Sequence, residues 1–73
     1  MSPALPVVAG AQVVSALTKG GFERVSQRGS HVKLRRQDGR VVIVPLHREL
    51  AIGTLRSIVR QSGLSVEEFL ALL

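Results

Sequence analysis

Two turn signals, Arg28-Gly29-Ser30 and Gln37-Asp38-Gly39, stand on either side of the stretch His31 to Arg36. Glycine reaches positive φ at little cost, and an Asp-Gly pair favours the twisted two-residue turn of a β-hairpin. A stretch held between two such turns pairs antiparallel with both neighbours. Three strands are therefore predicted as a meander: Phe22–Gln27, His31–Arg36 and Arg40–Val44. Phe22 and Val25 are three apart, which breaks strict alternation and predicts a bulge or a late start in the first strand. The run Val41-Val42-Ile43-Val44 is apolar on both faces, so the third strand is either covered more than its neighbours or has a partner on its far side. Pro45 closes it.

Helical spacing flanks the meander. Val13, Val14 and Leu17, with Gly10 or Ala16, predict a helix over Gly10–Lys19 that stops at Gly20-Gly21. Leu55, Ile58 and Val59 predict a second helix from Gly53 or Thr54 to Ser62, capped by Thr54 and stopped by Gly63. Ser65-Val66-Glu67-Glu68 is a capping box that opens a short last helix through Leu72, with Phe69, Leu70 and Leu73 apolar. Pro3 and Pro6 make residues 1–8 an extended lead-in, packed through Leu5, Val7 or Val8. The expectation is a single α+β domain over 1–73: a three-stranded antiparallel sheet packed on helices, in the order α-β-β-β-α with a short extra C-terminal helix. That is also the order of the double-stranded-RNA-binding fold, which reads A-form shape and phosphates.

Charge is distributed unevenly along this frame. The net charge is +5, and eight of the ten basic residues are arginine. Six of the ten (Arg24, Arg28, Lys33, Arg35, Arg36 and Arg40) lie between positions 24 and 40, where Asp38 is the one acid. Concentrated basic charge on one supersecondary unit is the footprint of a polyanion partner, and arginine suits phosphate geometry. Nucleic acid therefore ranks ahead of an acidic protein or a merely solvated hairpin. The chain has no cysteine, which excludes disulfides and thiolate metal sites. Met1–Thr18 is uncharged, but it lacks the basic start of a signal peptide and is too short and mixed to span a bilayer. A cytoplasmic protein without membrane contact is expected.

Alternation places His31, Lys33 and Arg35 on one strand face, and Val32 and Leu34 on the other. Free imidazole titrates near pH ~6.5, so it can give or take a proton at neutrality. Cleaving RNA without a metal requires a base for the 2′-hydroxyl, an acid for the leaving 5′-oxygen, and cations for the charge gathering on phosphate. His31 meets the first or second need. Lys33, Arg35 and Arg28 meet the third, and Ser30 or the backbone of the Gly29 turn offers donors to a phosphate oxygen. Spacing alone slightly favours the other reading, in which His31 is an ordinary half-exposed strand residue, because single histidines are common and no second catalytic group is evident. His47, just past Pro45, is either a second acid/base group or a loop histidine, and the structural role is favoured. Two histidines sixteen apart with few carboxylates make a poor metal site, and no cofactor motif is present. Arg56 and Arg60 read as a solvated helix face before they read as phosphate contacts.

Taken together, Gly20-Gly21-Phe22, Gln27-Arg28-Gly29-Ser30-His31, Val44-Pro45-Leu46-His47 and Gly53-Thr54-Leu55-Arg56-Ser57-Ile58 closely resemble the HicA-type mRNA interferase toxins. The resemblance runs from about Val8 to Leu73 and rests on the order and spacing of short pieces. It implies a double-stranded-RNA-binding-like fold and a metal-independent, ribosome-independent endoribonuclease acting on mRNA. The catalytic histidine would be His31. It further implies a cognate HicB-type antitoxin that masks the His31 face in a hetero-oligomer. The family's serine or threonine before the first helix is Ala9 here, so that cap is weaker, and arginine replaces much of the family's lysine. The alternative is a non-catalytic RNA-binding module of the same fold.

Overall fold

A computed structural model describes residues 4–73. The elements are α1 (Gly10–Lys19), β1 (Glu23–Arg28), β2 (His31–Arg35), β3 (Val41–Pro45), α2 (Ile52–Ser62) and α3 (Val66–Leu72). The three strands form one antiparallel sheet in the order β1-β2-β3. This is the expected α-β-β-β-α order with the extra C-terminal helix. Of the lead-in, Pro3 lies outside the described residues. Beyond it, Val8 is buried and its carbonyl accepts from the Leu50 N–H at 2.9 Å, Leu5 packs partly on the core, and Val7 is exposed.

The two turns close the meander in different ways. Arg28 pairs with His31, so the first loop is Gly29-Ser30. Gly29 has φ +55°, and no non-glycine residue among those described has positive φ, which is the arrangement of a type II′ turn. The second loop is Gln37-Asp38-Gly39, the gap the expected strand bounds leave, and it is one residue longer than the two-residue turn that an Asp-Gly pair favours. The Arg36 N–H donates to the Arg40 carbonyl at 3.0 Å, and the Gly39 N–H donates to the Arg36 carbonyl at 2.9 Å. Gly39 alone takes positive φ, at +91°, as the glycine of a three-residue bulged loop does. Asp38 keeps negative φ because its carboxylate has partners there: the Arg36 guanidinium donates to Oδ2 at 2.7 and 3.1 Å, and the Arg40 N–H donates to Oδ1 at 3.1 Å.

β1 shows both irregularities that its spacing allowed. It starts late, at Glu23, and its register shifts between Arg24 and Ser26. Phe22 falls into the core at 1% exposure, and Val25 is left 44% exposed. Val32, Leu34, Val42 and Val44 line the inner face of the sheet, all fully buried. They pack against Val13, Ala16 and Leu17 of α1 and Leu55, Ile58 and Val59 of α2, with Phe22 and Phe69 filling the remaining space. The helices cover β2 and β3 and leave β1 bare. Arg24 and Gln27, opposite Leu34 and Val32, remain exposed and bond each other at 3.2 Å.

Helix ends follow local chemistry, with two departures from expectation. The Gly20-Gly21 pair ends α1 as expected, with Gly21 the left-handed residue (φ +96°) and Gly20 at φ −81°. α2 starts at Ile52, with Ala51 at its N-cap and no side-chain cap, so Thr54 lies inside the first turn instead of before it. In α3, Leu72 packs on the core and Leu73 is 42% exposed. Gly63 takes φ +77° as expected. The Ser65 box is complete: the Glu68 N–H donates to Ser65 Oγ at 3.0 Å and the Ser65 N–H to Glu68 Oε1 at 2.8 Å. At α1, where Ala9 has no side-chain acceptor, Gln12 reaches back and accepts from the Ala9 N–H at 2.8 Å.

Candidate active site on the open sheet face

β2 alternates as its sequence requires. His31, Lys33 and Arg35 are exposed on the face away from the helices, and Val32 and Leu34 are buried. Register then sets three rows across that face: Arg28–His31–Pro45, Ser26–Lys33–Ile43 and Glu23–Arg35–Val41. Residues directly opposite in an antiparallel ladder hold their Cβ atoms about 4.5–5.5 Å apart, so each row is a line of side-chain neighbours. Beyond β3 the Leu46 N–H donates to the Ser30 carbonyl at 2.6 Å. Ser30 and Leu46 are thus a hydrogen-bonded pair, and His31 and Pro45 occupy the adjacent non-bonded position, where proline's missing N–H costs nothing and side chains approach more closely.

Ser26, Arg28, His31, Lys33 and Ile43 line a hollow of ≈ 310 Å³ on this face. Of the residues expected to act together, Arg28, His31 and Lys33 do meet here. Ser30 does not line the hollow; it sits in the turn beside it. Arg35 lies one row further on, across from Glu23, and borders a separate depression with Gly21, Val25 and Gly39. Ser26 and Ile43 were not anticipated. Ile43 was within reach of the alternation of β3, but Ser26 reaches this face because the first loop is only Gly29-Ser30, one residue shorter than the Arg28-Gly29-Ser30 signal, which sets Arg28 against His31 and Ser26 against Lys33.

The basic patch is narrower than the sequence suggested. Arg36 and Arg40 both ion-pair with Asp38, at 2.7 and 3.6 Å, and Arg36 also lies 5.0 Å from the centroid of the Phe22 ring. The Asp38 carboxyl is held below its ordinary range, first by the Arg36 hydrogen bond and then by the Arg40 N–H. Arg36 is raised, chiefly by the same hydrogen bond to Asp38. Arg24 has the inner-face parity. Arg28, Lys33 and Arg35 are the cations on the open face, and none is ion-paired among the described residues.

His47 is exposed, and its backbone serves the fold: the His47 carbonyl accepts from the Gly10 N–H at 2.9 Å. Gly10 has no room for a side chain, since a Cβ there would meet the Pro45 carbonyl. Arg56 and Arg60 border a different groove, with Leu5 and Val66. Among the described residues, no group of three His, Cys, Asp or Glu side chains could hold a metal ion, and no helix is long and apolar enough to cross a membrane.

With this geometry in view, residues 10–64 match the family model described as the HicA toxin of bacterial toxin–antitoxin systems. The chain belongs to the HicA toxin family. A solved toxin–antitoxin complex from Streptococcus pneumoniae contains a chain similar to this HicA protein: 34% identity and a TM-score of 0.69, covering 78% of this chain and 98% of that one. No curated protein matches the sequence. The family match spans both turns, all three strands and α2, and so includes every residue of the hollow.

Proposed function

We propose that this HicA protein is a metal-independent endoribonuclease that cuts mRNA at the open sheet face. The observation that carries this reading is the hollow itself, where an exposed imidazole stands beside two cations that have no ion-pair partner among the described residues. The RNA 2′-oxygen attacks the adjacent phosphorus while its proton passes to a base. The P–O5′ bond breaks, and the 5′-oxygen takes a proton from an acid. A 2′,3′-cyclic phosphate and a 5′-hydroxyl result. His31 fills one of the two proton-transfer roles. Arg28 and Lys33 offset the charge on the non-bridging oxygens, and the Ser30 turn and Arg35 hold the backbone to either side. A cognate antitoxin of the HicB type covers this face and so silences the toxin, as assembly in a toxin–antitoxin complex suits.

His31→Ala is expected to lower RNA cleavage by about 10²–10⁴-fold, the usual contribution of a positioned acid or base, and to abolish growth arrest. His31 is exposed, so the variant should keep the wild-type far-UV circular dichroism and urea midpoint. Cleavage by the purified variant at the wild-type rate would remove His31 from the chemistry. RNA binding without scission by the wild type would leave a non-catalytic binding module.

A further inference from the structure

We propose that the hollow bounded by Ser26, Arg28, His31, Lys33 and Ile43 is a subsite for one unpaired ribonucleotide, with its phosphate on Arg28 and Lys33 and its base against Ile43. The inference rests on the nuclease reading and specifies what the site grips. Ile43 is 51% exposed and stands directly opposite Lys33, diagonal to His31. On the same strand face Val41 is 38% exposed and Pro45 is half-buried, so an uncovered aliphatic row runs alongside the cations of β2. A phosphate alone has no use for such a row. A nucleotide has an anionic end and an apolar face, and the hollow offers the matching pair of surfaces side by side. The Ser26 hydroxyl, across from Lys33, adds a donor for a phosphate oxygen or a ribose hydroxyl.

Two features define the ligand further. Both phenylalanines are in the core, at 1% and 0% exposure, and the chain has no tyrosine or tryptophan. The base therefore lies on an aliphatic platform and not on an aromatic stack, which predicts contact with weak discrimination among bases. A base lying on Ile43 also has to leave any duplex, since its face is covered when it is stacked and paired. The subsite thus accepts single-stranded RNA despite the double-stranded-RNA-binding-like order of the elements.

The test titrates the full chain with uridine 3′-monophosphate, adenosine 3′-monophosphate and inorganic phosphate, followed by amide chemical shifts. Both nucleotides should perturb the Ser26, Lys33 and Ile43 amides and bind about tenfold more tightly than phosphate, an advantage of about 1.4 kcal/mol. Ile43→Ala should bring the nucleotides to within about twofold of phosphate, whereas Lys33→Gln should weaken all three ligands. Equal affinities for phosphate and nucleotide in the wild type would overturn the subsite. So would an unchanged ratio in Ile43→Ala, including the case where that variant instead loses affinity for a HicB antitoxin and the row proves to be a protein-docking surface. Failure of the nuclease reading is distinguishable, because it shows as wild-type RNA scission that survives His31→Ala, or as no scission while nucleotide binding persists.

Discussion

His31 owes its chemical setting to residues that are distant in sequence but adjacent in the ladder, with Arg28 on one side, Pro45 on the other and Ile43 on the diagonal. Its sharing of a face with Lys33 and Arg35 was legible from alternation along one strand. That Arg35 stands a row away from the hollow while Ser26 enters it was not, because a first loop of only two residues sets Ser26 against Lys33, and the bulge at Val25 then sets Glu23 instead of Arg24 against Arg35. Gly10 is a second position whose meaning is tertiary. Spacing marked it as a buried helix residue, but only the fold shows the Pro45 carbonyl in the space a Cβ would fill. Gly10→Ala should therefore destabilise the protein by about 1–3 kcal/mol in urea unfolding, as overpacking does, although alanine is the better helix former. An unchanged urea midpoint would mean that α1 shifts freely away from the strand end.

At the scale of elements, local chemistry was most legible where the chain satisfies its own backbone. The Ser65–Glu68 box is such a case, and Ser65→Ala should lower stability by about 1 kcal/mol in thermal or urea unfolding. The start of α2 went the other way. Thr54 has the right residue type for a cap, but the helix begins two residues earlier, at Ile52, without a side-chain cap. The Asp-Gly loop also departed from its usual form, because Asp38 gains more from Arg36 and the Arg40 N–H than from a left-handed backbone. These carboxylates carry a pH prediction. Asp38 is held below its ordinary value by Arg36, and Glu68 by its hydrogen bonds with Ser65. A carboxyl whose pKa is depressed by folding stabilises the fold above its unfolded value and loses that contribution as pH falls through the folded one. The melting temperature should accordingly fall below about pH 4, under the ordinary carboxylate values, and the fall should be shallower in Asp38→Asn and Glu68→Gln. Identical pH profiles in both variants and the wild type would show that neither carboxyl contributes.

Over the whole molecule, two phenylalanines close a small core, with Phe69 bringing α3 onto it and Phe22 bridging α1 to the sheet. Phe69→Ala should cost about 3–5 kcal/mol, much of the stability of a domain this small, and shift the urea midpoint accordingly. Charge also acts at this scale. If Arg28 and Lys33 each contact one phosphate of single-stranded RNA, replacing either with glutamine should flatten the slope of log K against log salt by about 0.7, whereas replacing Arg40, which pairs with Asp38 and does not line the hollow, should change it far less. The sequence by itself determined the meander, the helices that flank it and the pairing of an imidazole with cations on one strand face. Those features follow from turn chemistry and periodicity, which act over a few residues. Which strand faces the helices leave bare, which arginines stay unpaired, and that Ile43 and Ser26 complete the hollow were decided only by the tertiary structure. Each of these depends on cross-strand register and helix placement, and register turned on one bulge and on a first loop a residue shorter than its sequence signal.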